Sequence, residues 1–450
     1  MKHASHQEGI DGEDATLWRR LRRNVSLGVL GAGFSVAIKL AQAVLLTRFL
    51  QIDDYGRLLI VLNLFIFLDS FFGLRVSDVM FRFFQPLREQ GEKRALRGLL
   101  LFCLAICLAS GLLIYVAVLI LSPWLAANVY SNPELSQLFI IYGLTILVSA
   151  FSGVYEPLLR MYDRFSAIVL PQVLGNLITL TLLVAYFAIT GRVVHDLRPI
   201  VMAFAIGALV QSIPPLLKAL SLVRPYLARS ETEEQGLARY RTDLIRCLLN
   251  SNISGYLKFA INPGDVFLLG LLSSPTQVAL YGLARQLTSP LAVLQTTLQT
   301  AITPEITTLI AKMKLQQLQR LIARYVLSAI LFGGLLLLAA VLMGRLLILH
   351  LFSAQYVAAL PVFYCLIVAA WLLLVFLVFR PLAVSLDLLK WHNLALIISA
   401  LIVISLIVAG GLNALTMAYV QLIEAGILRL TFSLMIWKKL RDRSSAPLAA

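Results

Sequence analysis

The chain is poor in charge. Of its 450 residues only 14% are Asp, Glu, Lys or Arg, against about 25% in ordinary soluble domains. It is poor in cysteine, with 4 residues, too few for a disulfide framework. Cys103 and Cys107 stand one helical turn apart inside an apolar run and read as small packing residues, while Cys247 and Cys365 are isolated. There are 5 histidines, none paired at metal-ligand spacing, so no metal is expected. No glycine-rich loop ending in Lys-Ser/Thr occurs, which excludes nucleotide hydrolysis by that route. Gly31 and Gly33 lie inside an apolar run, where they let a neighbouring helix approach. The sequence also lacks the long extracytoplasmic loop or surface carboxylate cluster of a membrane polymerase or glycosyltransferase. No enzyme activity and no cofactor are expected.

What is abundant is apolar surface: 60% of the residues are hydrophobic and the mean hydropathy is +0.86. A membrane-spanning helix uses about 20 residues, so the chain can supply about twelve. A soluble enzyme with a membrane tail is excluded, and so is an outer-membrane barrel, whose strands alternate. The apolar runs lie at 25–49, 57–80, 96–121, 135–158, 168–190, 199–222, 244–272, 278–310, 325–352, 359–386, 391–410 and 414–437. The run at 25–49 is too long for a secretory signal core of about 7–15 residues and reads as an uncleaved first span. Pro290 and Pro304 predict a kinked or extended helix over 278–310. The fold class expected is all-α, a polytopic membrane protein.

The net charge of +15 has an explanation that needs no nucleic acid. With a cytoplasmic N-terminus, 27 of the 38 Lys and Arg fall in cytoplasmic segments, 5 in external ones and 6 within spans, which is the positive-inside bias. Both termini are therefore expected in the cytoplasm. The longest hydrophilic connection, 223–243, divides the chain into a tail (1–24), an N-lobe (25–222), this linker, a C-lobe (244–437) and a second tail (438–450). Six spans on each side make any repeat a parallel one. Tyr55-Gly56 and Tyr281-Gly282, each opening the second span of its half, support a duplication.

Charges at bilayer depth cost at least about 2.5 kcal/mol each and mark function by default. Ser35, Lys39 and Gln42 share one face of the first span. Asn63, Ser70 and Ser77 recur every seven residues in the second. Ser251, Ser254, Lys258, Asn262 and Asp265 line one side of the seventh, and Arg285, Ser289, Thr296, Gln299 and Thr303 one side of the eighth. Ser and Thr alone would serve helix packing. Lys39, Lys258 and Arg285 need water or an anion, and are expected to face a shared cavity between the lobes. Asp265 could pair with one of them, and Asp78 with Arg75 or Arg82.

Taken in order, Thr47-Arg48-Phe49-Leu50, Asp54-Tyr55-Gly56, Phe72-Gly73-Leu74 and Phe81-Arg82 resemble the opening of bacterial polysaccharide-repeat flippases. Pro263-Gly264-Asp265, the stretch Val278 to Arg285, Thr303-Pro304-Glu305 and the basic segment Lys312 to Arg324 resemble that family's second half. These flippases belong to the multidrug/oligosaccharidyl-lipid/polysaccharide exporter superfamily. The resemblance implies two six-helix lobes around a cavity that opens alternately to each side of the bacterial inner membrane. It implies a polyprenyl-diphosphate-linked oligosaccharide as cargo and other polysaccharide-assembly membrane proteins as partners. It matches Arg285 to the cation in the eighth span of related lipid-linked precursor flippases and sets Lys39 and Lys258 where the family lines its cavity with cations, for the diphosphate; the polar helix faces add Gln42, Asn63, Asn262, Asp265, Thr296 and Gln299 as expected cavity-lining residues. The alternatives are a multidrug antiporter of the same fold, which needs cavity acids, and a membrane polymerase or glycosyltransferase.

Overall fold

The computed structural model describes residues 28–191, 196–227, 237–259, 264–311, 315–379 and 411–428, with 382, 398, 401 and 405, and every regular element among them is helical. Helix α1 runs Gly28–Phe49 and α2 Ile52–Phe72, whose first turn carries Asp53 and Asp54, acids placed to favour the helix dipole. The expected span 57–80 is not one helix. The chain leaves α2 at Gly73, where a Cβ would come 2.1 Å from the Asp69 carbonyl oxygen, and re-enters a helix as α3, Val76–Glu89. This helix is amphipathic: Val76, Val79, Met80, Phe84 and Leu87 are buried at helical spacing. The break keeps Arg75, Asp78 and Arg82 out of a continuous span, and Asp78 pairs with Arg75 at 3.6 Å. It also divides the seven-residue polar recurrence, leaving Asn63 and Ser70 on α2 and Ser77 on α3.

Next come α4 (Lys93–Trp124), α5 (Glu134–Gly143), α6 (Ile146–Ser149), α7 (Ser152–Met161), α8 (Ser166–Thr190) and α9 (Arg198–Leu227). The expected span 244–272 is two helices, α10 (Arg241–Phe259) and α11 (Gly264–Leu272). Helix α12, Pro275–Ala311, carries Pro290 and Pro304 within 37 residues, about 55 Å of helix. Then follow α13 (Leu315–Leu351), α14 (Leu360–Val375) and α15 (Ala414–Ile423), the last opened by an Asn413–Thr416 capping box. Nearly all of the expected span 391–410 lies outside the described residues.

Eight helical stretches among the described residues are long and apolar enough to cross a membrane. Their outward residues are apolar too: Leu113, Ile120, Leu331 and Leu342 are all exposed, Leu342 by 68%. Apolar surface on this scale needs lipid around it. Gly31 performs the packing role expected of it, since a Cβ there would meet Val169 of α8 at 2.1 Å.

The chain turns sort into two faces. On one, Arg48 donates to the carbonyls of His350 (2.7 Å) and Leu351 (3.0 Å), Thr276 hydrogen-bonds Asp53, and Gln355 reaches the Leu50 carbonyl at 3.3 Å. On the other, Tyr240 donates to Glu92 at 3.1 Å and the Arg88 guanidinium lies 4.5 Å from the centre of the Tyr162 ring. The two halves of the chain meet along α2 and α12, and the Tyr-Gly pairs mark that seam reciprocally. A Cβ on Gly56 would come 1.9 Å from the Pro275 carbonyl oxygen, and one on Gly282 would come 2.4 Å from the Leu59 side chain. Tyr55 meets Tyr356 edge-on, and Phe67 of α2 stacks on Phe267 of α11 at 3.8 Å between ring centres.

Candidate functional site

Among the described residues two polar cavities take in the polar faces of the spans, one in each half, while a third, about 270 Å³, lies at the helix ends among Asp54, Arg57, Glu134, Asp196 and Arg198. The N-terminal one, about 300 Å³, is walled by α1, α2, α5, α8 and α9, with Gln286 of α12 at its side. Its back wall exists because α8 and α9 cross closely. A Cβ at Gly175 would lie 2.5 Å from the Gly207 carbonyl oxygen, and one at Gly207 would lie 1.9 Å from Thr179 Oγ1, the small-residue contact that lets membrane helices approach. That approach puts Gln211 Nε2 3.4 Å from Asn176 Oδ1. From α1, Gln42 donates to the Asn176 carbonyl at 2.7 Å, so three helices are tied by side-chain amides at one level.

Lys39, Gln42 and Asn63 all line this cavity. Asn63 Nδ2 donates to its own helix at Leu59, 2.8 Å away. Lys39 is exposed, and no carboxylate among the described residues lies within ion-pair distance of it. Asn176 is 5% exposed, and its Nδ2 has no hydrogen-bond partner. A buried donor without a partner costs about 1–3 kcal/mol, a cost borne by the packing of α8 and α9, since Asn176 Nδ2 is sealed from solvent. What the cavity presents is the Lys39 ammonium, which an oxyanion would satisfy. The sequence stripes did not point to Asn176, Thr179 or Gln211. Their signal was there as polar residues close to a glycine in apolar runs: Asn176 follows Gly175 directly, and Thr179 and Gln211 stand one turn after Gly175 and Gly207.

The C-terminal cavity, about 470 Å³, is walled by α11, α12, α14 and α15. Asp265, Arg285, Thr296 and Gln299 line it. Arg285 is ion-paired with Asp265, whose other oxygen accepts from the Tyr281 hydroxyl at 2.7 Å, while the Val266 N–H donates to the first at 2.8 Å. The carboxylate is 5% exposed and the guanidinium side chain 38%. The pair has no net charge. Lys39 and Arg285 therefore line different cavities, because the α2–α12 seam fills the space between them. The boundary runs between adjacent residues of α12, Arg285 facing one cavity and Gln286 the other. The Lys258 side chain and Asn262 lie outside the described residues.

Residues 21–310 match the family model described as polysaccharide biosynthesis protein. The chain belongs to this family. No curated protein matches it in sequence. Its fold is that of solved MOP-superfamily structures. Lipid II flippase MurJ, in an inward closed conformation, has a TM-score of 0.67 at 12% identity over 92% of this chain and 87% of that one. A multidrug resistance MATE family transporter, inward-facing, has 0.66 at 15% identity over 92% and 96%. A MOP transporter from Pyrococcus furiosus, described as having a binding pocket of reversed polarity that suggests a different function, has 0.59 at 15% identity over 95% and 96%. These structures are of transporters and a flippase, not of enzymes.

Proposed function

We propose that the chain flips a polyprenyl-diphosphate-linked oligosaccharide across the bacterial inner membrane, from the inner to the outer leaflet, by alternating access. The observation that carries this reading is the N-terminal cavity, where Lys39 stands with no carboxylate partner among the described residues. A diphosphate crossing apolar depth needs cationic company, and this cavity offers it in the half nearer the start of the chain. The family's role in polysaccharide biosynthesis supports a glycan cargo. The fold shared with MurJ supports a lipid-linked one. An inside-negative potential assists the outward step by about 2.3 kcal/mol per charge per 100 mV.

Sidedness follows the basic residues. The face bearing Arg48 and Asp53 is external, and the face bearing Arg88 and Tyr240 is cytoplasmic, with both termini there and twelve spans in two lobes. Contacts of Arg48 and Asp53 with the second half then hold the external side shut. The antiporter reading loses ground at the cavities. Among the described residues Asp265 is the one carboxylate lining either of them, and it is already paired with Arg285.

The test is reconstitution in liposomes with a polyprenyl-diphosphate oligosaccharide extracted from the host. Lys39→Ala should abolish its translocation while leaving membrane insertion intact, and Lys39→Arg should retain more than Ala, since charge comes first and donor geometry second. Translocation by Lys39→Ala at the parental rate would refute the reading. Cation-coupled efflux of a cationic drug by the parental protein, with no movement of the lipid, would install the antiporter in its place.

A further inference from the structure

Resting on that reading, we infer that the C-terminal cavity is a separate subsite for the uncharged sugar of the cargo, recognised through hydroxyl groups rather than through charge. Its formal charge is zero, because Asp265 and Arg285 cancel each other and Tyr281 holds the remaining carboxylate oxygen. Among the described residues that line it, an anion finds no unmatched cation and a cation no unmatched carboxylate, so neither end of an ionic ligand is selected. This is a different chemistry from that of the N-terminal cavity, with its uncompensated lysine.

The wall supplied by α12 has a consistent polarity. Thr288, Ser289 and Thr296 give their protons to carbonyls of their own helix, those of Arg285 (2.9 Å), Gln286 (2.6 Å) and Val293 (2.9 Å). Gln295 commits one N–H to the Ala370 carbonyl at 2.7 Å. What the three hydroxyls keep for a ligand is oxygen lone pairs, and Gln295 keeps its carbonyl oxygen and one N–H. Gln299 adds an amide with both groups, and Arg285 retains N–H donors beyond the pair. The wall therefore asks for a ligand rich in hydroxyl donors that also accepts. Across from it stand Leu366, Ala369, Ala370, Leu373 and Leu377, an apolar surface suited to the C–H face of a sugar ring. A volume of about 470 Å³ lies in the range of small-ligand clefts, about 300–1,000 Å³.

The experiment measures binding to the full chain in nanodiscs with two probes, farnesyl diphosphate and the host-extracted polyprenyl-diphosphate oligosaccharide. The quantity read is the ratio of the two affinities. The double variant Thr296→Val/Gln299→Leu should lower the preference for the glycosylated probe about ten-fold, the value of one to two lost hydrogen bonds. Leu373→Trp, which fills the cavity from its apolar side, should do the same by a different route. Lys39→Met should weaken both probes together and leave the ratio standing. An unchanged ratio in both C-terminal variants would overturn the sugar subsite while leaving the flippase reading intact. A parental protein that binds neither probe would bring down the flippase reading itself, and the subsite with it.

Discussion

Removing Arg285 tests whether that residue serves the cargo or serves Asp265. In Arg285→Met the Asp265 carboxylate, 5% exposed, keeps only the Tyr281 hydroxyl and the Val266 N–H. Taking away one partner of a buried pair costs about 3–5 kcal/mol. Arg285 is 38% exposed, so water softens the loss, and a value of about 2–3 kcal/mol is expected. Asp265→Asn leaves its uncompensated charge on the more exposed partner, where it should cost about 1–2 kcal/mol. The double variant buries no charge and should fall within about 1 kcal/mol of the parent. The coupling is then about 2–5 kcal/mol, well beyond the few tenths expected of independent sites. Equilibrium unfolding in mixed micelles, run as a double-mutant cycle, reads it directly. Additive losses would refute the argument, and so would an Arg285→Met protein as stable as its parent. Either outcome would return Arg285 to the role the sequence suggested, a cation free to meet a phosphate.

Three further outcomes follow from the packing and the faces. Gly207→Ala places a Cβ 1.9 Å from Thr179 Oγ1 and 2.8 Å from the Gly175 carbonyl oxygen, so it should destabilise by about 1–3 kcal/mol; Gly207→Ala/Thr179→Ala should recover part of that, and a thermal midpoint unmoved by the single change would contradict the close crossing. Arg48→Gln/Asp53→Asn removes contacts that join the two halves on one face, so a cysteine at Leu62, inside the N-terminal cavity, should react faster with an external impermeant thiol reagent; an unchanged rate would mean these contacts do not hold the face shut. Cysteines at Asn128 and Ser274 should label from outside and one at Arg239 from inside, and the reverse pattern would overturn the orientation.

Much of the fold was legible because the membrane makes local demands. A span must carry its own apolar length and satisfy its own backbone, so α1, α4, α8 and α9 stand within about five residues of the apolar runs that announced them, while α13 ends where its run ends but begins ten residues earlier, in the basic segment. Sequence also brought Lys39, Gln42 and Asn63 to one cavity, and Asp265, Arg285, Thr296 and Gln299 to another, though it expected one cavity for all. Helical spacing is a local property, and a shared face survives into the fold. The break between α2 and α3 was less legible, since hydropathy runs smoothly through Phe72 and only Gly73 and the charges after it mark the turn.

By itself the sequence determined the class of the protein, the alternation of its chain turns between two faces, and which side chains share a helix face. It could not determine which cation is neutralised. Arg285 and Asp265 lie 20 positions apart on different helices, and only the packing of α11 against α12 brings them together, while Lys39 has no carboxylate partner among the described residues. Nor could it show the amide cluster of Gln42, Asn176 and Gln211, which draws on three helices and depends on how closely α8 and α9 cross at two glycines. Charge cancellation and donor satisfaction are properties of distances between helices, and those distances are set by tertiary packing rather than by position along the chain.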